Sequence, residues 1–171
     1  LKGESGWLAQ ALVRSQKILA ELARLIGEEE KAQELLTRAQ VMTERIQQHT
    51  WDGEWFLYGH TDDGTVYGSR VNEAGKIQLN TQSWALLATP EQRAKIFASI
   101  EKHLDGPHGL ALFHPAYSTW NPKLGRISMF SEGTKENAAV FCHAATFMVV
   151  AELMHGRGTK GYEHLKQIMP N

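Results

Sequence analysis

The sequence predicts an all-α fold in which helical hairpins stand side by side, as in a toroid or a solenoid, with one small β excursion. Three features point there. Apolar residues recur at three- and four-residue steps in paired segments with short joins. A late run, from Ala138 to Met154, carries only His143, Thr146 and Glu152 as strongly polar side chains, so a helix there needs neighbours on every side. Strand-type patterning is confined to one stretch, residues 51–79. Repeated hairpins bury their inner faces only against each other, and about three are the least that can do so.

Residues 5–26 form the first helix: Leu8, Ala11, Leu12, Ser15, Ile18, Leu19, Leu22 and Leu25 keep the period, and Gly27 ends it. Residues 28–49 form the second, with Ala32, Leu35, Leu36, Ala39, Met42 and Ile46 in register. Its acidic start, Glu28-Glu29-Glu30, complements the helix dipole. In residues 51–79, Glu54-Trp55-Phe56-Leu57-Tyr58 and Thr65-Val66-Tyr67 flank an Asp62-Asp63-Gly64 turn and predict a β-hairpin. Residues 68–76 read as loop, and Lys76-Ile77-Gln78-Leu79 as a further strand. Such an aromatic excursion either lines a cleft or caps the helices.

The second pair starts at Asn80 or Thr81 as a cap and runs to Leu87. Thr89-Pro90-Glu91-Gln92 signals the next helix, with Thr at the N-cap and Pro at the first position. Ala94, Ile96, Phe97 and Ile100 follow, and Asp105-Gly106 stops it. After an apolar piece at 110–113 comes a loop over residues 114–133, long enough that a role is expected of it. The third pair joins the apolar central helix, closed by Gly156, to an amphipathic helix at 159–169 stopped by Pro170.

The central helix is expected to open in a polar cluster, with Thr134 as N-cap before Lys135, Glu136 and Asn137. On a continuous helix Glu136 and His143 would lie within about 20° of one line and roughly 10 Å apart along it. A buried helix that aims a Lys, a Glu and a His from one end is an odd construction for packing alone.

Composition narrows the function classes. The 171 residues are 42% hydrophobic and 22% charged, with a net charge of −1. That suits one globular unit, residues 1–171 forming part of a single domain, and gives no basic field for nucleic acid. No run is both long and charge-free enough to span a bilayer. Cys142 is the only cysteine, which excludes an internal disulfide and suits a reducing compartment. The chain does not begin with Met and starts within a motif, so an interior piece of a longer polypeptide is expected.

The stretches Gly3-Glu4-Ser5, Trp51-Asp52-Gly53-Glu54-Trp55, Asp62-Asp63-Gly64, Gly68-Ser69-Arg70, Asn80-Thr81-Gln82-Ser83-Trp84, His114-Pro115-Ala116-Tyr117 and Gly133-Thr134-Lys135-Glu136-Asn137, running into Phe141-Cys142-His143, span the chain in order. In them the sequence resembles the inverting disaccharide phosphorylases of the cellobiose and chitobiose phosphorylase family. The resemblance implies an (α/α)6 barrel, of which three hairpins make about half. It implies a reaction in which phosphate attacks the anomeric carbon of a β-linked disaccharide with inversion, giving a sugar 1-phosphate, while an aspartic acid protonates the leaving oxygen. One carboxyl group suffices, because phosphate arrives anionic and needs no base.

By the same resemblance the catalytic Asp lies upstream of residue 1, as does a phosphate-binding Arg, and a phosphate-binding Thr-Gly pair lies downstream. This stretch alone is therefore expected to be inactive. His143 matches the phosphate-binding His, Lys135 and Glu136 match residues of the acceptor-sugar subsite, and Phe130 falls where the family varies its acceptor contact. Ala138-Ala139 replaces a Gly-containing stretch common there. Implied partners are the disaccharide, phosphate, the rest of the same polypeptide and a second copy in a homodimer, in the cytoplasm, with no metal or other cofactor.

Other residues carry two readings each. Asp62 and Asp63 are paired carboxylates or, beside Gly64, turn formers. His114 reaches the cleft or packs its loop. Cys142 is a buried filler or a reactive thiol. His103, His108, His114, His155 and His164 show no metal-ligand spacing. Of Trp51, Trp55, Trp84 and Trp120, at most one is expected to be a sugar platform. Competing functions are a β-1,2-glucan-processing relative on the same barrel, and a non-catalytic helical module that binds partners through its apolar faces.

Overall fold

A computed structural model describes residues 2–88 and 90–170. The described residues form α1 (Gly6–Leu25), α2 (Glu29–Thr50), α3 (Leu79–Ala88), α4 (Arg93–His103), α5 (Cys142–Met154) and α6 (Gly158–Ile168). Seven short strands decorate them. β1 (Gly3–Ser5), β2 (Gly59–Thr61) and β3 (Val66–Tyr67) make an antiparallel sheet, β4 (Ile77–Gln78) pairs with β7 (Phe113–His114), and β5 (Asp105–Gly106) with β6 (Gly109–Leu110).

The helices pair as expected, α1 with α2, α3 with α4 and α5 with α6, and α3 lies between α1 and α5. Ser5 caps α1, its Oγ accepting from Leu8 N at 3.3 Å, and Gly27 at φ +83° closes it. Helix α3 starts at Leu79, so Asn80 and Thr81 sit in its first turn rather than capping it. Thr89, the expected cap of α4, lies outside the described residues. Residues Pro90–Gln92 form a 3₁₀ turn that leads into α4.

Hydrogen bonds gather the starts of the three inner helices at one end. Gly6 N donates to Tyr58 O. The buried amide of Gln82, in the first turns of α3, clamps both N and O of nearby Phe56. Leu79 N reaches Leu112 O, and Leu112 N reaches Ala139 O just before α5. At the other end, Lys17 Nζ donates to Ala88 O at 2.6 Å and the His155 ring meets Leu86 O at 3.0 Å. Cations are favoured at these last carbonyls of α3. The inner helices α1, α3 and α5 are therefore parallel.

The excursion between α2 and α3 differs from expectation. The hairpin arm opposite Thr65-Val66-Tyr67 is Gly59–Thr61, not residues 54–58, because Trp55 and Phe56 turn inward as core. Trp55 Nε1 donates to Gly68 O and Lys76 O, and Asp52 Oδ2 accepts from Ser69 Oγ and Arg70 N at 2.8 Å. Gly68, at φ +76°, lies so close to Tyr58 that a Cβ would fall 2.6 Å from its backbone N. Asp63 is a turn former: its carboxylate accepts from the Thr61 hydroxyl and Thr65 N, which hold its pKa down to about 2.

Two faces stay open. On α1 the buried positions are Gly6, Gln10, Val13, Ala20 and Ala23, while Leu8, Leu12, Leu19, Leu22 and Ile26, spaced like a coiled-coil seam, are exposed. The all-round burial expected of the central helix is likewise absent, since Val150, Leu153 and Met154 face out. Among the described residues both helices pack against α3.

The α5–α6 pair is locked by a buried polar group. Glu152 on α5 and His164 on α6 are 1% and 2% exposed and meet at 2.9 Å, and Asp105 lies 3.4 Å from the other ring nitrogen, itself held by Lys160 at 2.7 Å. Gly161 of α6 faces α5, where an added Cβ would meet Glu152 Cβ at 3.4 Å, an ordinary contact. Burial pulls His164 toward its neutral form, but the hydrogen bond and charge of Glu152, with the charge of Asp105, outweigh it and leave the pKa raised. A raised folded pKa gives stability that is complete below the ordinary value of about 6.5 and lost as pH rises through the folded one. We expect His164→Gln to cost about 3 kcal/mol near pH 6 and progressively less at alkaline pH, read from urea midpoints across that range.

Candidate functional site

The expected helix start at Thr134 is not there. Helix α5 begins at Cys142, with Phe141 at the N-cap, and residues 133–141 form an irregular path. Thr134 Oγ1 donates back to Ser131 O at 2.6 Å instead of capping. Thr134 and Asn137 bridge across a tight turn whose tip is Lys135-Glu136, with Lys135 at φ +50°. Glu136 and His143 therefore do not share a helix face.

The cause is Asn137, fully buried. Its Oδ1 accepts from Tyr117 N at 2.9 Å, and its Nδ2 donates to Tyr117 O at 2.8 Å and Phe130 O at 2.7 Å. These bonds satisfy loop backbone that a helix could not reach, and they outweigh the helical preference of Ala138-Ala139. Ala138 is left at φ +63°, a conformation that glycine adopts without strain.

His143 emerges in the first turn of α5 and is exposed. The Phe147 ring stands edge-on to it at 4.9 Å and 72°, the Phe141 ring lies at 6.3 Å and 83°, and Trp84 of α3 backs Phe147 at 5.0 Å. Thr146 Oγ1 donates to His143 O at 2.7 Å. The imidazole is thus oriented by aromatic packing. Phe141 offers no side-chain acceptor and the first turn holds no acidic residue, so the leading N–H groups of α5 are free to meet an anion beside the His143 ring.

Lys135 and Glu136 are exposed at the turn tip and, among the described residues, form no ion pair with each other or with another side chain. Lys135 Nζ sits 4.5 Å from the centroid of Phe130. The loop over residues 114–133, with a 3₁₀ turn at Gly125–Met129, carries Phe130 and the exposed Trp120. His114 has its backbone in β7 and its side chain exposed. Cys142 is exposed, not the buried filler expected. Trp55 is core, and His155 and His164 have the structural partners described above. No group of three or more His, Cys, Asp or Glu side chains suited to a metal occurs among the described residues. No helix there is long and apolar enough to cross a membrane.

Sequence reasoning missed Asn137, Phe147 and β1. Asn137 was visible as a polar residue next to an apolar run, but its partners lie 7 and 20 residues away. The motif residues Asp52, Trp55, Ser69 and Gln82 are engaged in hydrogen bonds that hold the excursion against the helix starts.

The sequence model of the family described as "Glycosyl hydrolase 94 superfamily, catalytic domain" matches residues 1–171. A 3-O-beta-D-glucopyranosyl-beta-D-glucuronide phosphorylase from Paenibacillus borealis is 38% identical over 172 residues, covering 99% of this chain and 22% of that protein. A solabiose phosphorylase from the same organism is 36% identical, covering 99% of this chain and 23% of that protein. A cellobionic acid phosphorylase from Neurospora crassa is 36% identical, with 99% and 22% covered. The chain thus spans less than a quarter of the length of these relatives.

Two substitutions test the turn. Ala138→Gly should be stabilising by about 0.5–1 kcal/mol, since relief of the left-handed strain exceeds the added chain entropy. Asn137→Ala should cost on the order of 3 kcal/mol, because it strands three part-buried backbone groups and empties a buried site. Urea unfolding of each variant beside the parent measures both.

Proposed function

This chain belongs to the glycosyl hydrolase 94 superfamily, and from that premise we propose that it supplies the phosphate- and acceptor-binding part of an inverting β-glycoside phosphorylase. In this reading phosphate is held by the His143 ring and the free N–H groups at the start of α5. It forms a bond to the anomeric carbon as the glycosidic C–O bond breaks. The proton for the leaving oxygen comes from an aspartic acid that the resemblance places upstream of residue 1. The products are a sugar 1-phosphate and a free acceptor sugar.

The observation that carries the reading is the presentation of His143. A polar ring stands exposed at a helix start with no side-chain cap, packed edge-on against Phe147 and tied to α3 through Trp84. A histidine serving packing alone would be buried with a partner, as His164 is. Helix dipole, free N–H groups and an imidazole donor together suit a dianion.

Lys135 and Glu136, displayed at a turn tip beside Phe130, suit the hydroxyls of an acceptor sugar, with the aromatic ring against its apolar face. Two relatives carry a glucuronide and cellobionic acid in their names. An acceptor bearing a carboxylate would suit Lys135, whose ammonium has no carboxylate partner among the described residues. The open apolar faces of α1 and α5 support an (α/α)6 barrel in which residues 1–171 are part of one domain and the rest of the polypeptide covers them. A homodimer, a cytoplasmic setting and catalysis without a metal belong to the same reading by resemblance.

In the complete polypeptide, His143→Ala should raise the KM for phosphate about 10- to 100-fold, the worth of one charge-assisted hydrogen bond. Phe147→Leu should raise it a few-fold with little change in kcat, and Phe147→Tyr should restore it. Unaltered phosphate kinetics in both His143→Ala and Phe147→Leu would reject the assignment. Lys135→Ala should weaken acceptor binding in the synthetic direction and leave phosphate KM nearly alone. Equal loss of both would mark collapse of the turn.

A further inference from the structure

The loop after β7 is stapled at two levels, and an unclaimed cleft lies between the staples. At one level Asn137 ties Tyr117 N and O and Phe130 O together. At the other the buried Ser128 hydroxyl accepts from Asn121 N at 2.9 Å and lies within bonding distance of Asn121 O and Gly125 O. Two chain segments are thereby held side by side. Between the staples, Ser118 and Trp120 from one segment and Met129, Phe130 and Ser131 from the other line a cleft of about 520 Å³. Trp120 is 56% exposed, and its ring meets no other aromatic ring among the described residues. A large indole is thus presented at the surface from two segments fixed by hydrogen bonds.

We propose that this cleft is a second carbohydrate subsite, in which Trp120 stacks on the pyranose ring of a unit attached to the acceptor sugar. The lining fits that occupant. A pyranose has an apolar C–H face and a rim of hydroxyls, and the cleft pairs one flat indole with serine hydroxyls and two more apolar side chains. Phe130 is common to this cleft and to the Lys135 contact, so the two sites adjoin. The subsite rests on the acceptor reading given above and extends it, from single sugars to acceptors with a further ring.

The test uses the complete polypeptide in the synthetic direction, with a sugar 1-phosphate as donor. Acceptors are a monosaccharide and its β-linked disaccharide, beside aryl β-glycosides. The parent protein should show a KM for the extended acceptor roughly three- to tenfold below that for the monosaccharide. Trp120→Ala should bring that ratio to about one, and Trp120→Tyr should keep most of it. No preference in the parent, an unchanged ratio in Trp120→Ala, or equal losses for both acceptors would overturn the subsite. A turnover-independent arm follows intrinsic fluorescence while a β-linked glucose trisaccharide is added to the parent and to Trp120→Tyr. A saturable change that depends on Trp120 in a protein without phosphorolysis would keep the subsite and sink the phosphorylase reading. Phosphorolysis with no Trp120-dependent change would do the reverse.

Discussion

The side chain of Asn137 is the constraint on which the site depends. A primary amide with no solvent exposure must satisfy its donors and acceptor inside the protein, and it does so with the backbone of Tyr117 and Phe130. Those bonds cannot coexist with a helix through residues 134–141. The chain is therefore forced into a turn whose tip displays Lys135 and Glu136, then through a left-handed Ala138, before α5 begins at Cys142. The same bonds hold the two walls of the loop apart at a set width. One buried polar group thus sets the turn, the cleft and the point where the His143 helix starts.

The wider frame follows from how α1, α3 and α5 are joined. Their N-terminal ends are gathered by backbone bonds through Tyr58, Phe56 and Leu112, and the C-terminal carbonyls of α3 are answered by Lys17 and His155. Helices α1, α3 and α5 run parallel and bring their positive dipole ends to one side. The outer helices stabilise this arrangement, most plainly through the Glu152–His164 pair, which fastens α6 to the back of α5. Large apolar side chains left open on the flanks of α1 and α5 are the complement of that order.

Much of this was legible in the residue order, and the failures have a common origin. Helices α1, α2, α4 and α6 follow from local periodicity and end signals such as Gly27 and Pro170, which act within one turn. The Asp62-Asp63-Gly64 turn was legible for the same reason, since Asp63 bonds only to Thr61 and Thr65. The two largest misreadings involved partners far along the chain. Residues 134–141 look helical by composition, and only the reach of Asn137 to Tyr117 and Phe130 overrides it. Trp55 and Phe56 alternate like a strand but are drawn into the core by Gln82, Gly68 and Lys76. Of the site, Lys135, Glu136 and His143 were singled out by the residue pattern, while their expected roles, and Phe130, came from resemblance. Their geometry, and the roles of Phe147 and Trp120 beside them, required the fold.

The central claim is that the start of α5 receives an oxyanion beside His143. A crystal structure of the complete polypeptide grown with phosphate tests it most directly. The anion should lie within hydrogen-bond distance of the His143 ring and of the first N–H groups of α5, with Phe147 still edge-on to the imidazole. An ordered phosphate bound elsewhere in the mouth, with His143 turned away from it, would contradict the claim.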